Sequence, residues 1–126
     1  MAAAPAFAAT PKCAVGALSV ANANRDGTGT VVTVFTAGAS GSKIEEVRIT
    51  PAATTTAGMV RLYLYSGTVY YLLSEHIIAA ATLSPSVATT VTTITYDSLI
   101  LPSGWSLRAS TEKAEAINVH AFGGDF

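Results

Sequence analysis

Residues 101–126 read LPSGWSLRASTEKAEAINVHAFGGDF. From Trp105, the apolar Trp105, Leu107 and Ala109 alternate with the polar Ser106, Arg108 and Ser110. From Ile117, the apolar Ile117, Val119 and Ala121 alternate with Asn118, His120 and Phe122. A side-chain period of two over both runs predicts half-buried strands, with one face on a core and one outward. The polar stretch from Thr111 to Glu115 supplies the connection, so the two runs are expected to pair as an antiparallel hairpin that closes a β domain. Trp105, Leu107, Ile117 and Val119 are the expected core residues. Arg108, His120 and the Gly123-Gly124-Asp125-Phe126 tail fall to the outward side.

Upstream, the same reading yields strands at nearly even spacing. Ala14 to Val20 is a weak first strand, followed by a loop dense in turn residues from Asn22 to Gly29. Thr30 to Phe35 is β-branched and strand-like, and Lys43 to Thr50 follows a Gly/Ser turn. Met59 to Tyr65 places Val60, Leu62 and Leu64 on one face and Arg61, Tyr63 and Tyr65 on the other. Ser66-Gly67 is a hairpin signal, after which Thr68 to Ile78 returns. Val87 to Tyr96 is a Thr-rich strand, and Leu99 to Leu101 a short apolar piece. About eight strands and no convincing helix predict an all-β, single-domain antiparallel β-sandwich. Long connections after Ile78 and Tyr96 do not fit a meander. They fit a jelly-roll-like crossing between sheets over residues 14–126. Residues 1–13, rich in Ala and Pro, are expected to be a flexible N-terminal arm.

Composition narrows the function. Of 126 residues half are hydrophobic and only 12% are charged, with a net charge of -1. An average soluble domain is about 25% charged. A surface built from Ala, Thr, Ser and Gly suits a subunit whose faces neighbours cover. The seven cations are scattered, which excludes the basic footprint of a nucleic-acid partner. No run approaches the roughly 18 apolar residues of a membrane span. The opening residues lack the positive start of a secretory leader, since the first cation is Lys12.

Catalytic readings find little support. Cys13 is the single cysteine and has no metal-ligand spacing around it. His76 and His120 are the only histidines. His76 and its neighbour Glu75 point to opposite faces of a strand and cannot form a general-base pair. No G-x-S-x-G elbow is present, and the Gly38–Lys43 stretch fails the spacing of a phosphate loop. The chain is therefore expected to be no enzyme and to need no metal or cofactor. Tyr63, Tyr65, Tyr70 and Tyr71 gather around one turn, and a Tyr/Arg face is what protein interfaces favour; a carbohydrate platform is the rival use.

Several of these stretches, taken together, resemble small virion proteins of tailed bacteriophages, and head decoration (cement) proteins in particular. The likeness runs through NANRDGTGT at 22–30, KIEEVRI at 43–49, TTTAGMVRL at 54–62, LPSGWSLRAST at 101–111 and NVHAFGGDF at 118–126. The resemblance implies a non-enzymatic homotrimer, made in the host cytoplasm. It would sit on the capsid exterior against the major capsid protein, without touching nucleic acid or membrane. A phage tail or fibre component, or a carbohydrate-binding sandwich, is the alternative. The expected contact residues are Pro5, Phe7 and Pro11 of the arm, Arg61, Tyr63, Tyr65, Arg108, His120 and Phe126.

Overall fold

The computed structural model describes residues 9–126, which form eight strands. These are β1 (Thr10–Leu18), β2 (Val32–Thr36), β3 (Ser42–Pro51), β4 (Gly58–Tyr65), β5 (Tyr70–Ile78), β6 (Thr92–Leu101), β7 (Ser106–Thr111) and β8 (Ile117–Asp125). They make two four-stranded antiparallel sheets, β1-β8-β3-β6 and β2-β7-β4-β5. The first strand pairs with the last, the second with the seventh, the third with the sixth and the fourth with the fifth. That nesting is one long ribbon folded at the β4–β5 turn and rolled up. Two further pairings, β3 with β8 and β4 with β7, close the sheets. The result is a jelly roll.

The terminal hairpin is corrected by this topology. β7 lies between β2 and β4 in one sheet, and β8 lies between β1 and β3 in the other. Alternation reports that a strand has one face on the core; it carries no information on which strand pairs with it. Residues 112–116 therefore cross between sheets. The predicted Ser66-Gly67 turn does join a hairpin, as the four-residue link from Ser66 to Val69, closed by the Ser66 amide donating to the Val69 carbonyl at 3.0 Å.

Two other boundaries move. β6 starts at Thr92 instead of Val87, and it runs through Tyr96 to Leu101 as one strand. Between Thr95 and Leu99 its register against β3 shifts, so residues 96–98 oppose Glu45 alone. The turn-forming Asp97 and Ser98 made this bulge look like a strand end. β1 begins at Thr10, so residues 10–13 of the expected arm are paired with β8, from Asp125 down to Phe122. Residues 1–8 of that arm lie outside the described residues, and Pro5 and Phe7 with them.

The core fills the space between the inner faces. Ile44, Val47, Ile49, Val119 and Ala121 from one sheet meet Val34, Phe35, Val60, Leu62, Leu107 and Ala109 from the other. Each fully buried Val, Leu, Ile or Phe contributes about 1.5–3 kcal/mol. Consecutive Val34 and Phe35 are both buried because the register between Thr33 and Phe35 shifts by one residue. At one side β1 and β2 lie alongside each other, which leaves β5 and β6 as the edge strands of the opposite side.

Candidate contact surface

The outer face of the β2-β7-β4-β5 sheet is not free. The connection from Ser19 to Val31 lies across it, and Asn22 organises the crossing. The Asn22 amide donates to Thr111 O at 2.8 Å, which joins the connection to the end of β7. Its side-chain Nδ2 donates to Thr28 O and Thr30 O, both at 2.9 Å. Its Oδ1 accepts from the Asn24 amide at 3.0 Å. Gly27, with φ of 86°, passes so close to Tyr70 that a Cβ there would fall 2.3 Å from the ring. Only glycine combines this left-handed backbone with that approach.

Arg61 and Tyr63 are covered by this connection. Arg61 is 5% exposed and Tyr63 wholly buried. The Tyr63 hydroxyl donates to Asn24 O at 2.9 Å, and Arg61 Nη1 donates to Asn22 O at 3.2 Å. Arg61 Nε and Arg25 Nε each donate to the same Glu75 Oε2 at 3.0 Å. The two residues expected at a partner's surface are thus spent within the protomer, holding its own loop. Alternation correctly put them opposite Val60 and Leu62, but could not reveal that the second face is also covered.

Tyr65 and Arg108 stand further along the same face, both half-buried. The Arg108 guanidinium lies 4.1 Å from the Tyr65 ring centroid, and its Nη1 donates to the Tyr70 hydroxyl at 3.0 Å. Tyr65 and Tyr70 are 4.2 Å apart, tilted at 36°. Because the rings lie against each other and under an arginine, they offer no open platform to a sugar. Among the described residues the exposed aromatic is Tyr71, parallel within 9° to Trp105 at 6.0 Å.

Among the described residues, no segment lies across the outer face of the other sheet. Its register aligns Val15, His120, Arg48 and Thr93 in one row, and Cys13, Phe122, Glu46 and Thr95 in the next. His120 stacks on Phe122 at 6.3 Å, and the Arg48 guanidinium lies 5.4 Å from the same ring. Val15 and Cys13 are exposed. Pro11 is exposed at the end of this face, where it borders a shallow cavity of about 400 Å³ with Cys13, Glu45 and Phe122. Phe126 is half-buried, its amide donating to Gly41 O at 3.1 Å. Of the expected contact residues, then, Pro11 and His120 share a face that no other described segment covers, whereas Arg61 and Tyr63 do not.

Titratable groups are few and mostly structural. Asp125 accepts from the Ser42 hydroxyl and pairs with Lys12, and the Lys12 ammonium also reaches Thr36 O and the Phe35 ring. The Ser42 bond foremost, with Lys12 aiding, holds the Asp125 carboxyl below the usual range. At the open side of the sandwich, Ser74 Oγ and His76 Nε2 are 2.8 Å apart. Burial lowers the His76 pKa. Burial raises the Tyr96 phenol, opposed by the Ser74 hydroxyl beside it. The Ser74-x-His76 spacing was readable as a same-face pair. No carboxylate completes it, since Glu75 points to the other face and is held by two arginines. Among the described residues, no group of three His, Cys, Asp or Glu is placed to hold a metal ion, and no helix is long and apolar enough to cross a membrane.

The chain matches no protein-family model and none of the curated proteins with which it was compared.

Proposed function

We propose that this protein is a tailed-bacteriophage head decoration (cement) protein. It binds the exterior of the assembled shell, against the major capsid protein, as a homotrimer without enzymatic activity. The observation that carries the reading is how the charges are used. Arg25, Arg61, Glu75, Lys12 and Asp125 are consumed in holding the protomer's own loop and termini. What remains outward is a sheet face whose charges are balanced by the Arg48–Glu46 and Lys43–Glu45 pairs, together with exposed apolar residues on β5, surfaces suited to neighbouring subunits. Jelly rolls recur in viral capsid and lectin domains, which supports the reading by fold-level analogy alone. The stretches that resemble phage virion proteins supply the rest of the support.

The role would work by mass action. A subunit that binds only the intact shell stabilises it by about 2.7 kcal/mol per site when its free concentration is a hundredfold above Kd. Many such sites across capsomer seams would sum to a large resistance to bursting. Adding the purified protein to DNA-filled heads that lack it tests the reading. Saturable binding, in a copy number fixed by shell symmetry, is the expected result. Binding in only a few copies per particle would make it a tail or fibre component.

The exposed Tyr71, parallel to Trp105, favours a second reading as a glycan-binding sandwich. Saturable binding on a glycan array that disappears in Tyr71→Ala would replace the head reading. Tyr63, Tyr65 and Tyr70, buried or packed together, carry no such expectation.

A further inference from the structure

Ser74 and His76 stand on the inner face of β5, because their partners across the ladder, Leu62 and Val60, are core residues. Ser74 Oγ and His76 Nε2 are 2.8 Å apart. Tyr96 comes to the same place from β6, packed against the core with the Ser74 hydroxyl beside it. Its own hydroxyl oxygen is enclosed by protein and makes no hydrogen bond. Buried hydroxyls are ordinarily paired, so an orphan next to a Ser–His pair calls for an acceptor that the protein does not supply. The cluster is also placed where a small molecule can reach it. β5 and β6 are the outermost strands of their sheets on the side away from β1 and β2, so the three groups lie where the layers end. Each of the three residues is only half-buried.

We propose that Ser74, His76 and Tyr96 form an acyl-acceptor site, at which Ser74 is covalently acylated by small, uncharged, activated carboxylic esters. The three groups supply a nucleophile, a base and an oxyanion donor. In the tautomer with its proton on Nδ1, His76 accepts the Ser74 hydroxyl hydrogen bond, and burial favours the neutral ring. Ser74 Oγ forms the new bond to the acyl carbon while its proton passes to His76 Nε2. The carbonyl oxygen takes up the displaced electron pair, and the Tyr96 hydroxyl donates to it. When the carbonyl re-forms, the bond to the leaving oxygen breaks. That oxygen departs with the electron pair and the proton from His76. The products are acyl-Ser74 and a free alcohol or phenol, a single transfer to the protein and not turnover. Leu73 on β5 and Ile94 and Leu99 on β6 are half-buried against the same edge of the core. Such apolar neighbours suit a short, uncharged acyl chain. The site is independent of the head reading, because it lies between the sheets and not on their outer faces.

Treating the full chain with p-nitrophenyl acetate tests it, read by intact mass and then by peptide mapping. One acetyl group on Ser74 is expected, ahead of every other serine and threonine in the chain. Ser74→Ala abolishes that adduct. His76→Gln slows its formation on the order of a hundredfold, the loss expected for a general base. Tyr96→Phe slows it on the order of a hundredfold as well, as for one lost oxyanion donor. Tyr96→Phe removes a hydroxyl that is bonded to nothing, so it keeps its fold even if His76→Gln loses β-sheet circular dichroism. Acetylation of lysines alone overturns the inference. So does acetylation of Ser74 at the wild-type rate in either folded variant.

Discussion

Asn22→Ala is the sharpest probe of how this jelly roll is held. The side chain makes three hydrogen bonds, two donated to Thr28 O and Thr30 O and one accepted from the Asn24 amide. Asn22 is itself buried. A net value of about 1 kcal/mol per bond puts the loss near 3 kcal/mol, because the abandoned backbone groups sit partly out of reach of water. For a domain of this size that corresponds to a fall in Tm of roughly 10 °C. Urea unfolding reads it directly as a lower midpoint at unchanged slope, since the core still unfolds as one unit. A second substitution shows that the loss belongs to the loop. Tyr63→Phe removes the hydroxyl that donates to Asn24 O and costs about 1 kcal/mol alone. Both changes release the same segment, so the double variant should lose less than the two losses added together. A loss below about 1 kcal/mol for Asn22→Ala, or strict additivity, would refute the view that Asn22 clamps the connection over the sheet.

Two pH effects arise from the titratable groups. Asp125 has a folded pKa below its ordinary value, through Ser42 and then Lys12, so the folded state holds its proton less readily than the unfolded chain. Its contribution is complete above the usual carboxylate range and is lost as pH falls through the lowered pKa. Asp125→Asn is therefore expected to reduce stability at neutral pH and to flatten the acid limb of an unfolding-versus-pH profile. His76 has a folded pKa pushed below 6.5 by burial, so its neutral form is favoured in the fold. That stability is complete above pH 6.5 and declines as pH falls through the lowered value. His76→Gln should make urea stability less sensitive to pH in that window, and a profile identical to wild type would contradict the assignment.

Much of the architecture was legible because the alternation is strong. Leu107, Ala109, Ile117, Val119 and Ala121 are all core residues, as the period of two requires. The crossover between β7 and β8 was not legible, because pairing is decided by the whole roll and not by either strand. Nor was the burial of Arg61 and Tyr63. It depends on Asn22 and Gly27, which read locally as turn residues and act at a distance of some forty positions in the chain. Composition totals also conceal one local feature of the sequence, the absence of any cation from residue 62 to residue 107. Scattered cations elsewhere masked that gap. Bulges explain the remaining misplacements, since an extra residue at Val34, at Leu73 or over 96–98 inverts the expected facing of the residues beyond it.

The proposed function is that this self-clamped jelly roll binds a phage head shell. Electron cryo-microscopy of the particle that carries it is the most direct measurement. Density for the jelly roll at symmetry-related positions on the outside of the capsid is the predicted result. Density confined to the tail, or no density on the particle, would contradict it.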